Sequence, residues 1–281
     1  LSFGLPFIAY ALLRVLTRFS ALDAAAVAAH YGSISIVTFV AATSVLEGRG
    51  IDSEGYMVAV AAAMEAPAIL SALWLVARSG SGGKMEPGLM REIMLNGSIV
   101  LLVGSFAIGI MTGEKGLAEI APFIVSPFKG VLCLFLLDMG LVAGRGLRQS
   151  RGVLGFGAVA FGIMMPLAGS LLGLGFGMAI GLSMGGVVLM MVLAASASYI
   201  AVPAAIRVAL PEADPAIYLT LSLGVTFPFN LTLGIPLYVA LATMMLVENV
   251  VLDHLQLVGQ PVQRHVEDVT IERQEVREQA C

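Results

Sequence analysis

The sequence predicts an all-α membrane protein, a polytopic helical bundle with inverted-topology repeats. Three observations carry this. First, 58% of the 281 residues are hydrophobic, 12% are charged and the mean hydropathy is +0.95, against about 25% charged residues in a typical soluble domain. Second, the apolar residues form long continuous runs, which suit helices that satisfy their own backbone in lipid and not the alternating strands of a barrel. Third, two segments repeat one pattern of residue spacings across the chain. With 15 Lys+Arg and 19 Asp+Glu there is too little charge to cover a soluble enzyme of this size, and a net charge of -4 offers no basic patch for nucleic acid. Cys133 lies in an apolar run and Cys281 is the last residue, two different environments, so no disulfide is predicted.

Eight runs approach the length of about 20 residues that a crossing helix needs: 2–19, 24–46, 55–77, 93–112, 120–144, 152–172, 183–206 and 216–247. The first ends in Arg14 and Arg18. The second contains Ser33-Ile34-Ser35, and the third contains Glu65 and Pro67, with Arg78, Lys84 and Arg91 in the connector beyond it. Lys115 lies between the fourth and fifth runs, and Arg145, Arg148 and Arg151 follow the fifth. The sixth leads into the glycine-rich stretch 169–186, the seventh contains Ser196-Ala197-Ser198 and precedes Arg207, and the eighth contains Pro228. The opposite set of connectors holds only Arg49 and Lys115, so the positive-inside bias puts residue 1 and the tail outside. The tail carries Asp253, Glu267, Asp268, Glu272, Glu275 and Glu278 and reads as a solvated helix or a disordered extension. The predicted organisation is 1–78 as the remainder of a first repeat, 79–92 as a cytoplasmic linker, 93–248 as a second repeat and 249–281 as a polar tail.

The repeat is specific. Ser33-Ile34-Ser35 is followed by Asp52, Tyr56 and Glu65-Ala66-Pro67; Ser196-Ala197-Ser198 is followed by Asp214, Tyr218 and Thr226-Phe227-Pro228. Runs two and seven cross in opposite directions. That is the inverted repeat of secondary transporters, which hold a solute between two broken helices near the midplane. If the second unit has five spans, two more are expected ahead of Leu1, which opens inside an apolar run.

The candidate site residues follow. Ser33, Ser35, Thr38, Ser196 and Ser198 offer hydroxyls where helices would break. A small anion takes free N–H groups at a half-helix N-terminus, and sodium takes carbonyls, hydroxyls and carboxylates. The alternative is that these residues only pack closely or bond to their own turn. Pro67 and Pro228 remove ladder bonds nearby. Glu65 and Asp138 are acidic residues inside predicted spans, where a carboxylate holds a cation, shuttles a proton or stays protonated. Thr226 shares Glu65's place in the repeat and joins it as an ion-coupling candidate. Tyr199 and Asn230 can hydrogen-bond a solute or close a helix contact. Lys129 lies about 13 Å along a helix from Asp138 and reads as an interfacial residue. His30 is placed at the start of span two, in an interfacial role, and Asp214 and Tyr218 are expected to cap and anchor span eight. Gly173, Gly175 and Gly177 lack the strand and soluble helix of a phosphate loop, and no metalloprotease, paired-cysteine or hydrolase motif occurs, so an enzyme is not predicted.

The stretch SMGGVVLMMVLAASASYIAVPAAIRVALPEADPAIY, with IPL at 235–237, resembles the second half of the sodium-dependent bicarbonate transporter family of cyanobacteria. YGSISIVTF and MEAPAI resemble that family's first-half core. The resemblance implies ten spans in two inverted units, a trimer, and inward movement of bicarbonate with sodium as the coupling ion across the cell's inner (plasma) membrane. It also implies a PII-like regulatory partner, docking on the connectors at 78–91 and 144–152. This chain differs from the resembled members at several polar positions: Ser35-Ile36-Val37-Thr38 replaces Ser-Gly-Ser-Thr, Tyr199 and Glu65 each replace an Asp, and Phe227 replaces a Thr. The prediction is therefore a small-anion transporter, bicarbonate first, with substrate between Ser33–Thr38 and Ser196–Tyr199 and coupling at Glu65, Asp138, Thr226 and Asn230. The alternative is a membrane sensor or scaffold that keeps the fold and does not transport.

Overall fold

The structure, a computed structural model, describes residues 1–65, 67–78, 91, 97–149 and 154–246. The predicted linker apart from Arg91, and with it Lys84, as well as Arg151 and the predicted tail with Cys281, lie outside the described residues. Residues 1–238 form one compact unit; the second unit, 239–281, is described only as helix as far as Leu246.

Among the described residues there is helix and no strand. The helices are α1 (Leu5–Leu16), α2 (Ala21–Gly32), α3 (Ile36–Gly48), α4 (Met57–Glu65), α5 (Pro67–Arg78), α6 (Gly97–Ile124), α7 (Phe128–Gln149), α8 (Phe156–Ala179), α9 (Met184–Ala195), α10 (Ala201–Ala209) and α11 (Pro215–Leu246). Ala21–Gly48, Phe156–Ala179 and Pro215–Leu246 are long and apolar enough to cross a membrane, and the pair Val103–Ile124 and Phe128–Asp138, bent by 54°, makes a fourth if taken as one span. Leu5–Leu16, Met57–Ala72 and Met184–Ala195 are apolar but shorter. The chain is an all-α membrane protein.

Two departures from the predicted runs have local causes. The break expected between 112 and 120 is split: α6 is irregular at Gly113 (φ 59°, ψ -156°), a conformation that glycine adopts without strain, and the chain bends again between Ile124 and Phe128. Pro228 does not interrupt its helix. The ladder is absorbed by π-helical turns at Thr220–Thr226 and Asn230–Gly234, where wider turns accommodate the missing donor.

The two predicted breaks are present and share one anatomy. Ser20 caps α2 by accepting from the Asp23 amide at 3.0 Å, and Ser183 caps α9 by accepting from the Gly186 amide at 3.1 Å. Both helices run 12 residues and end in an extended serine, Ser33 (φ -90°, ψ 175°) and Ser196 (φ -86°, ψ 164°). The chain then resumes as α3 or α10. The N-terminal half of each broken pair packs on the C-terminal half of the other, α9 on α3 and α10 on α2. Two interrupted spans that cross at their breaks and run in opposite directions pack this way.

Helix α8 supports the second pair. Gly169, Gly173 and Gly177 face α9 at four-residue intervals, and a Cβ at Gly169 or Gly173 would run into the backbone at Ala194 or Met190. The glycine-rich stretch is therefore a close helix contact, the use that small residues have in lipid.

Candidate functional site

The two breaks hold each other. The Ser198 amide donates to the His30 carbonyl at 2.8 Å, and His30 Nδ1 lies 2.6 Å from the Ser198 carbonyl. The Ser35 amide donates to Ser196 Oγ at 3.0 Å, and that hydroxyl donates to the Leu193 carbonyl at 3.0 Å. Ser35 caps α3 by accepting from the Thr38 amide at 3.2 Å and also accepts from Thr38 Oγ1 at 2.9 Å. Ser198 Oγ accepts from the Val202 amide at 3.4 Å in the first turn of α10. These bonds pair backbone groups that the breaks would otherwise leave unsatisfied where water is absent.

Beside the breaks lies a cavity of about 260 Å³, lined by Ile34, Ser35, Ile36, Glu65, Leu101, Ser105, Ser198, Tyr199 and Ile200. Helices α3 and α10 both begin at its wall, so two N-termini with their partial positive charge open on one space. Glu65 is 4% exposed and its Oε2 has no hydrogen-bond partner; Tyr199 Oη is also buried and unpartnered. The cavity thus combines electropositive backbone ends with one carboxylate and several hydroxyls. On one flank Val37, Tyr199, Leu223 and Phe227 form an apolar cluster against Leu132, Phe135 and Leu136 of α7.

Of the predicted residues, Ser35, Ser198, Tyr199 and Glu65 line the cavity. Ser33 stands behind them, donating to the Glu65 carbonyl at 3.2 Å, and Thr38 and Ser196 buttress Ser35. Thr226 and Asn230 lie elsewhere. Thr226 Oγ1 donates to the Gly162 carbonyl at 2.6 Å and lies 2.6 Å from the Tyr31 hydroxyl. Asn230 donates to the Ala195 carbonyl at 3.0 Å and accepts from the Tyr238 hydroxyl at 2.7 Å. Both tie helices together. Asp138 is exposed on α7 and does not line the cavity.

Two expectations are corrected. His30 is not interfacial: the break at 33–35 puts it in the middle of the span, fully buried and stacked on Tyr218 with ring centroids 4.6 Å apart. Tyr218 is likewise buried at 1% exposure and is not an interfacial anchor, whereas Asp214 does cap its helix, accepting from the Ala216 amide at 2.8 Å.

Sequence reasoning missed Ser105 and Leu101, which α6 brings to the cavity. It also missed the staples at the outer ends of the broken pairs. Glu54 Oε1 accepts from the Ser183 amide at 2.6 Å at the start of α9, and Asp23 Oδ1 accepts from the Asp214 amide at 2.9 Å at the start of α11. A Cβ at Gly185 would meet the Asp52 carbonyl and one at Gly186 the Glu54 carboxylate, so these glycines let the 52–54 loop reach the helix end. Partial burial would raise the Glu54 carboxyl, but hydrogen bonds from the Ser183 amide, from its own amide and from the Ser183 hydroxyl together outweigh it and lower the group from its ordinary value.

No curated protein is similar enough to count as a match to this chain. The family model of the Na+-dependent bicarbonate transporter superfamily matches residues 1–243. Crossed broken helices, a cavity at their crossing and a match over most of its length lead to one conclusion: this membrane protein belongs to the Na+-dependent bicarbonate transporter superfamily.

Proposed function

We propose that this protein is a secondary transporter of a small anion, bicarbonate first, coupled to sodium and seated in the cell's inner (plasma) membrane. One observation carries the reading: two helix N-termini, from oppositely running broken spans, open on a single cavity beside Glu65. Helix N-termini suit an anion, and the Glu65 carboxylate with the Ser35 and Ser198 hydroxyls offers the oxygen donors that a hard cation takes. Domain organisation as two inverted five-span units, assembly as a trimer and docking of a PII-like protein on the connectors around 78–91 and 144–152 belong to the same proposal.

The test is a sodium-jump uptake assay in vesicles with labelled bicarbonate and a panel of small carboxylates and inorganic anions. Sodium-dependent uptake of one anion, abolished in Ser35→Ala or Ser198→Ala with membrane insertion intact, supports the reading. Uptake unchanged in both variants removes the breaks from the site.

A second reading is favoured by the cluster of Val37, Tyr199 and Phe227, three positions where the resembled transporters carry polar residues and this chain packs side chains together. In it the protein keeps the fold as a sensor or scaffold. Saturable anion binding without uptake in the same vesicles would select it.

A further inference from the structure

We propose that His30 is the positioning residue that fixes the Ser198 peptide, and through it the wall that the second broken helix gives to the cavity. The proposal rests on the reading of the cavity as the solute site. The break between α9 and α10 leaves peptide groups without helical partners, and in a lipid-embedded core each needs one. Both backbone groups of Ser198 go to one residue 168 positions away. Its amide donates to the His30 carbonyl at 2.8 Å, a group left free because α2 ends two residues later; its carbonyl faces His30 Nδ1 at 2.6 Å. A carbonyl only accepts, so the hydrogen of that bond sits on Nδ1. The ring is 0% exposed and stacks on Tyr218 at an interplanar angle of 24°, which sets its orientation.

The first bond is available to any residue at position 30. The second requires a side-chain donor at the Nδ1 position, and it fixes the peptide plane from which Ser198, Tyr199 and Ile200 project at the cavity. Asparagine places its amide nitrogen close to Nδ1; glutamine carries it one bond too far, and leucine fills the volume with no donor. A role in packing alone would rank leucine or glutamine with or above asparagine, so the order of these variants separates positioning from filling.

The experiment uses the intact protein in vesicles. Uptake KM is measured for His30, His30→Asn, His30→Gln and His30→Leu in the otherwise native sequence, and the rate of thiol modification for the same four with native cysteines replaced by serine and one reporter thiol at Ile200→Cys. The expected result is a KM within about twofold of the parent for His30→Asn and a rise of about tenfold or more for the other two, as loss of a buried hydrogen bond predicts. The labelling rate should change in the same order. A parent-like KM and labelling rate in His30→Leu or His30→Gln, or a His30→Asn as impaired as His30→Leu, overturns the proposal. If leucine prevents folding, the Asn–Gln pair still decides. If the protein of native sequence takes up no anion, the transport reading fails while the labelling order alone judges His30.

Discussion

Removing the Glu54 carboxylate should loosen the start of the second broken helix by a calculable amount. Glu54 accepts from the Ser183 amide at 2.6 Å, at the positive end of α9. A carboxylate there stabilises by about 0.3–1 kcal/mol when exposed and by up to about 2 kcal/mol when partly buried. Glu54 is half-exposed, and solvent screening keeps the figure near about 1 kcal/mol. At room temperature that is about a fivefold change in the ratio of docked to undocked loop. Hydrogen exchange at the Ser183 amide in vesicles measures it directly: protection in Glu54→Ala should fall about fivefold at neutral pH. The pH dependence has a defined sign. The folded carboxyl sits below its ordinary 4.5, so the stabilisation is fully present above that value and is lost as pH falls through the lowered one. Equal protection in Glu54→Ala and the parent, or protection that grows on acidification after correction for intrinsic exchange, would refute the staple.

Two further outcomes follow from the packing. Gly169→Ala puts a Cβ against the Ala194 backbone, so α8 and α9 must separate; destabilisation of about 1–3 kcal/mol is expected as a lower melting midpoint in detergent, and a parent-like midpoint would contradict the contact. Thr226→Val keeps the shape but strips the hydroxyl from between the Gly162 carbonyl and the Tyr31 hydroxyl, at a cost of about 1–3 kcal/mol that Thr226→Ser should largely avoid; equal melting of the valine and serine variants would count against that bridge.

The breaks were legible because they are written twice. Ser33-Ile34-Ser35 and Ser196-Ala197-Ser198 recur with matched residues downstream, and a repeated irregularity in apolar sequence has few physical meanings. Glu65 was legible because a carboxylate inside an apolar run is costly. His30 was misplaced because the apolar run begins near Ala24 while α2 begins at Ala21 and its break, not its outer end, lies one turn beyond His30. Thr226 and Asn230 were legible as polar groups in apolar surroundings that need a partner; the carbonyls they meet, at Gly162 and Ala195, are brought to them by other helices and have no sequence signature. Ser105 gave no signal, since a single serine in an apolar helix is ordinary. Glu54 lies in a loop, and only the glycines at 185 and 186, which clear space for it, hinted that something docks at the helix end.

The most direct test asks whether the transported anion occupies the space between the two breaks. Ile36 lines the cavity at the first turn of α3, and an Ile36→Cys thiol in a cysteine-free background reports on it. Bicarbonate, or whichever anion the vesicles take up, should slow modification of that thiol with a midpoint equal to the uptake KM. A thiol that reacts at one rate whatever anion is present, while uptake saturates normally, would place the solute elsewhere.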